Sequence, residues 1–93
     1  MKKIYMTDHI QRAALAKFGV NHQMGIAAEE FAEAVQQIMK VLNNRSSADI
    51  EKLCEELADC EIMLDQMKIA FPAIESWKHK KLMRLETMLN DKN

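Results

Sequence analysis

Apolar residues recur at intervals of three and four along most of this chain, the spacing that draws one stripe down a helix. Ile10, Ala13, Ala14 and Phe18 form the first set. They predict a helix from about Thr7 to Phe18, capped by Thr7 or Asp8 and stopped by Gly19. Asn21 offers the next N-cap, and Met24, Ala27, Ala28, Phe31, Val35, Ile38 and Leu42 carry a second helix to about Leu42. Gly25, in its first turns, costs about 1 kcal/mol relative to Ala and marks a place where another helix or a ligand comes close. Asn43–Ser47 is a polar loop, and Ser46 with Asp49 has the capping-box spacing. A third helix to about Ala70 has Ile50, Leu53, Cys54, Leu57, Cys60, Leu64 and Met67 as its stripe. Pro72 fits a first turn but not a helix interior, so it separates this helix from a fourth. The fourth carries Ile74, Trp77, Leu82, Leu85, Met88 and Leu89 and frays over Asn90–Asn93. With no strand candidate, the pattern predicts a single all-α domain over residues 1–93, a bundle-like set of four helices with each stripe turned to the core.

Composition supports this and adds one point. Eight Met, two Gly and one Pro in 93 residues suit helices rather than strands and turns. A core with 5% aromatic content on so short a chain predicts an oligomer. The net charge of −1 gives no reason to expect a nucleic-acid polymer as partner. No apolar run approaches a membrane span, and the N-terminus turns polar too early for a signal peptide. Cys54 and Cys60 point in different directions on one helix, so a disulfide is a poor fit; buried thiols in a cytoplasmic protein are expected.

The middle of the chain repeats itself. Ala28-Glu29-Glu30-Phe31-Ala32-Glu33-Ala34 is echoed by Cys54-Glu55-Glu56-Leu57-Ala58-Asp59-Cys60. Residues three apart share one side of a helix, so Glu30 with Glu33 and Glu56 with Asp59 each present two carboxylates together. In an antiparallel hairpin, level residues share one sum of residue numbers, which sets Glu33 opposite Glu56 and Glu30 opposite Asp59. None of the four has a basic residue four positions on; Lys52 alone is placed to pair locally, with Glu56. Four carboxylates brought together repel unless a cation intervenes. An all-oxygen set suits Mg²⁺, with Mn²⁺ the near alternative. A solvated acidic face is the plainer account of a single E-x-x-E, and the matched second copy weighs against it.

Other candidates stand beside this one. His9, His22 and His79 have no ligand spacing and are expected at the surface or in packing. The methionines are expected mostly in the core. Lys81 occupies the apolar sector of the fourth helix, with Arg84 at its border one turn on. Lys81 either snorkels along that face or joins Arg84 in a cleft where the two neutralise a phosphate chain. Trp77, on the same side, either packs or stacks on a base.

The double acidic motif resembles the all-α nucleoside triphosphate pyrophosphohydrolases, the MazG-like superfamily. Phe18-Gly19-Val20-Asn21-His22-Gln23 is similar to the family's aromatic-Gly segment with a Gln ahead of the acidic helix. Trp77 and Lys81-Leu82-Met83-Arg84-Leu85 are similar to the basic C-terminal helix of short, phage-type members. The resemblance implies a hydrolase that cleaves a nucleoside triphosphate between the α and β phosphates to monophosphate and pyrophosphate. It implies Glu30, Glu33, Glu56 and Asp59 as Mg²⁺ ligands and Lys81 and Arg84 as phosphate contacts. Glu33 or Glu29 is then the general base for the attacking water, and a homodimer or homotetramer is the expected assembly. Phosphoribosyl-ATP pyrophosphohydrolase is the nearest alternative within that superfamily. A non-catalytic helical interaction module is the alternative outside it.

Overall fold

In the computed structural model of the chain, residues 2–91 are described, with side chains from residue 7 onward. Four helices follow in order: α1 (Lys2–Phe18), α2 (Val20–Asn43), α3 (Ser47–Ala70) and α4 (Ala73–Asn90). No described residue is in a strand. Nor is any helix long and apolar enough to cross a membrane. α1 begins earlier than the apolar pattern predicts, because no Gly or Pro precedes Thr7 to stop it. Thr7 and Asp8 are therefore interior rather than capping residues, and Asp8 pairs one turn on with Arg12 at 2.8 Å.

Gly19 alone separates α1 from α2. Its N–H closes α1 on the Leu15 carbonyl at 2.9 Å, and its own carbonyl opens α2 by accepting from Gln23 at 3.0 Å. That double duty needs φ +89° and ψ 152°, a conformation open essentially to glycine alone. The predicted cap, Asn21, thus falls inside α2. The second connection is short as well: Asn44–Ser46. Ser46 caps α3 by accepting from the Asp49 N–H at 3.1 Å, as its spacing implies. The Asp49 carboxylate accepts from the Ser46 hydroxyl instead of reaching back to a backbone N–H.

α2 and α3 form an antiparallel hairpin, and which faces meet in it departs from expectation. The inward residues of α2 are Gln23, Ala27, Ala34 and Gln37, and of α3 Glu56, Met63, Gln66 and Met67. This seam has the same three-and-four spacing as the apolar stripe but lies one residue out of phase with it. Met24, Phe31, Val35, Ile38 and Leu42 on α2, and Ile50, Leu57 and Leu64 on α3, are all exposed. Two alanines in the seam let the backbones come close, and glutamines satisfy one another across it. Side chains as large as Phe31 and Leu42 do not fit such a narrow gap.

The apolar core is correspondingly small: Ala27, Met63 and Met67, with Leu15, Ile26 and Ile74 against them. Met24, Met39, Met83 and Met88 lie outside it, against the expectation that the methionines mostly pack. Cys54, expected to be buried, is exposed, and Cys60 is half-buried. α4 has no buried residue. It is tied to α3 at its start, where Ile74 meets the core and Lys68 reaches Glu75 at 3.0 Å, and it does not close a four-helix bundle.

Candidate metal centre

Three side-chain amides set the hairpin's register. Gln23 donates to Gln66 at 2.8 Å, and Gln66 donates in turn to Gln11 of α1 at 2.9 Å. All three are buried, so the chain of amides joins α1, α2 and α3 through the interior. His22 continues it, its Nδ1 lying 2.8 Å from Gln23 Oε1 while its ring stacks on Phe18. At the far end of the hairpin, Gln37 donates to the Asp49 carbonyl at 2.9 Å. Between these two ties the Cys60 thiol donates to the Glu30 carbonyl at 3.5 Å, beside the acidic residues.

The carboxylates meet at this middle level. Single oxygens of Glu30, Glu33 and Glu56 all lie within 4.8 Å of one another. Asp59 is not within that trio, although it stands close enough to Glu30 to act on its ionisation. Glu56 is buried, at 7% exposure, and among the described residues no cation lies within ion-pair distance of its carboxylate, although the charge of Lys52 acts on it from further off. Lys52, placed by its spacing to serve Glu56, bonds Glu55 at 2.9 Å instead. Glu55 is the exposed partner, and a lysine reaching it keeps its ammonium in water.

Electrostatics record the crowding. Glu30 is held above the ordinary carboxylate range, first by lost solvation, then by the charges of Asp59 and Glu33, by a hydrogen bond with Glu33, and by Glu56. The Cys60 thiol is pushed up by burial and then by Glu30, Asp59, Glu56 and Glu33. Glu30 thus responds to the other three carboxylates, and Cys60 on the facing helix to all four.

The donor set fits a hard divalent cation. Octahedral Mg²⁺ holds its oxygens at about 2.0–2.1 Å, so opposite ligands stand roughly 4 Å apart. The trio's 4.8 Å is close to that span. No nitrogen or sulfur ligand takes part, which disfavours zinc. Carboxylates crowded at a partly buried position are groups whose mutual repulsion a bound cation relieves.

The remaining predicted residues lie elsewhere. Lys81 and Trp77 line a separate cleft of about 590 Å³ between α3 and α4, walled by Leu64, Phe71, Ile74, Leu82 and Leu85. Arg84 is not among its walls, and neither cation pairs with any of the four carboxylates. Glu29 is exposed at the edge of the cluster's helix and outside the trio. His9 and His79 are exposed. Among the glutamines, Gln11, Gln37 and Gln66 carried no signal as single residues. Their signal is collective: Gln23, Ala27, Glu30, Ala34 and Gln37 form a second, polar three-and-four series beside the apolar one.

No protein-family model, curated protein or solved structure matches the chain.

Proposed function

We propose that the chain is a Mg²⁺-dependent nucleoside triphosphate pyrophosphohydrolase, as its acidic motifs suggest. The supporting observation is the meeting of Glu30, Glu33 and the buried Glu56, with one oxygen of each within 4.8 Å of the others. A bound cation would offset the repulsion between the carboxylates brought together there. Glu30, Glu33 and Glu56 would hold the cation, with Asp59 beside Glu30. When bound, Mg²⁺ supplies charge neutralisation at a polyphosphate and acidifies coordinated water.

The chain's own residues do the rest. Glu33 is exposed at the mouth of the cluster, where it can accept a proton from an attacking water. Glu29, one position from Glu30, is the second candidate for that step. Lys81 and Trp77, in the separate α3–α4 cleft, and Arg84, outside it, would serve as the phosphate and base contacts that the resemblance implies only if brought to the cluster.

Self-association belongs to the same reading. The chain exposes 7660 Å², whereas a compact monomer of its mass exposes about 5,500 Å². Its radius of gyration is 16.3 Å, against about 12 Å expected for a compact domain of this length. The excess of roughly 2,100 Å² on one chain is more than the roughly 800 Å² that each partner buries in an interface of standard size. A homodimer or homotetramer covering the outer seams of α2 and α3 accounts for it.

The test is a panel of NTPs and dNTPs, with phosphoribosyl-ATP included, incubated with Mg²⁺. Monophosphate and pyrophosphate are the expected products. Orthophosphate release, or no turnover of any nucleotide, would remove the proposal.

A further inference from the structure

Phe71 and Pro72 turn the chain from α3 into α4, and apolar faces with lysines set into them lie on either side of that turn. On α3, Leu64 and Lys68 stand one turn apart. On α4, Ile74, Trp77, Lys81 and Leu85 recur at three and four, with Lys78 and Leu82 beside them. Lys81 thus holds a position that the spacing reserves for an apolar residue. The two faces do not close on each other. They bound the cleft of about 590 Å³, within the range of about 300–1,000 Å³ in which pockets enclose a small molecule. Its walls stay open to solvent: Leu64, Phe71, Leu82 and Leu85 are 40–52% exposed, and Trp77 57%.

The charged groups of this cleft have one sign. Lys68, Lys78 and Lys81 line it, and among the described residues no carboxylate does. Lys68 is committed to Glu75, outside these walls, at 3.0 Å. Lys78 acts on Glu75 through its charge, and neither Lys78 nor Lys81 forms an ion pair with a described residue. Snorkelling accounts for a lysine at an apolar border, but it leaves the apolar surface between the lysines uncovered.

We propose that the α3–α4 cleft binds a free long-chain carboxylate, a fatty-acid anion. Its acyl chain covers the apolar walls, and its head group meets Lys78 and Lys81. Each methylene buried against those walls strengthens binding by up to about fourfold. An ammonium–carboxylate hydrogen bond fixes the head and selects its charge. A second copy of the chain is the poorer occupant. In a two-fold pair the cleft meets itself, so three lysines would face three. The cleft shares no wall with the acidic cluster, and its ligand does not depend on the nucleotide reading above.

Trp77 is the chain's single tryptophan, so its emission reports the cleft directly. The full chain is titrated with octanoate, decanoate and dodecanoate below their micelle concentrations, with decanol and decylammonium as controls. Decanoate should move the emission to shorter wavelength and saturate at one per chain. Each added methylene should tighten binding by up to about fourfold. Decanol should bind about tenfold more weakly than decanoate, and decylammonium more weakly still. The double variant Lys78→Ala/Lys81→Ala should weaken decanoate about tenfold and leave decanol unchanged, a split that loss of the fold would not give. No saturable shift, equal affinity for the three head groups, or no dependence on chain length overturns the proposal. So does a shift that follows protein concentration instead of ligand, with sedimentation showing a second copy in the cleft. Phosphatidylserine vesicles are the last arm. A shift with vesicles and none with monomeric acid assigns the cleft to a membrane surface and also overturns the proposal.

Discussion

Gln23 donates to Gln66 at 2.8 Å, and this pair shares its sum of residue numbers with Glu33–Glu56 and Glu30–Asp59. The amide bond thus holds the same register that brings the carboxylates level. Replacing Gln66 with Ala leaves the Gln23 donor and the Gln11 acceptor without their partners in the interior. Each orphaned group costs about 1–3 kcal/mol, so Gln66→Ala should lose about 2–6 kcal/mol in urea unfolding. A loss under 1 kcal/mol would mean that the amides do not set the register.

Divalent cations should stabilise the fold. A ligand that binds only the folded chain adds about 2.7 kcal/mol at a hundredfold excess over Kd. Mg²⁺ or Mn²⁺ should raise the melting temperature and EDTA should reverse the rise. Glu56→Gln should melt several degrees higher than wild type without metal, through relief of repulsion, and lose the response to metal. An equal response in both proteins would place the cation elsewhere.

Gly19 separates two kinds of strain. A Cβ built there meets nothing within 4 Å, so no side-chain clash accompanies a substitution. The backbone at φ +89° still disfavours any L residue, at about 1–3 kcal/mol. Gly19→Ala should therefore destabilise by that amount, measured by denaturant midpoint at unchanged slope. A neutral outcome would show that α1 and α2 adopt another junction freely.

Acid should loosen α4 first. The hydrogen bond and charge of Lys68 hold Glu75 below its usual value of 4.5. A depressed folded value means that the stabilisation is present above the unfolded pKa and is lost as pH falls through the lower folded one. Trp77 emission should change over that acid limb, and Glu75→Gln should abolish the dependence. An unaltered titration in Glu75→Gln would assign the change to another carboxylate.

The outer seams offer a direct test of assembly. Val35 is 60% exposed in the single chain, so Val35→Glu should do little harm to an isolated hairpin. If the seam is an interface, the variant should sediment as monomer and lose melting temperature. An oligomer unchanged by Val35→Glu would shift the interface to another surface.

Sequence by itself determined the elements and the level of the carboxylates. Three-and-four spacing marks all four helices, Gly19, Ser46 and Pro72 mark their junctions, and a short polar connection forces α2 and α3 to run antiparallel. Once they do, Glu33 must lie near Glu56, because rise per residue is the same in both helices. Tertiary structure decided which seam turns inward. Periodicity reports that a stripe exists, but not whether it meets its own chain or another surface, and the larger stripe was the natural choice. Close approach through Ala27 and Ala34, with amides bonded across the gap, selected the polar seam instead. That one-residue rotation turned Glu56 into the interior of the hairpin and left Phe31 and Val35 outside.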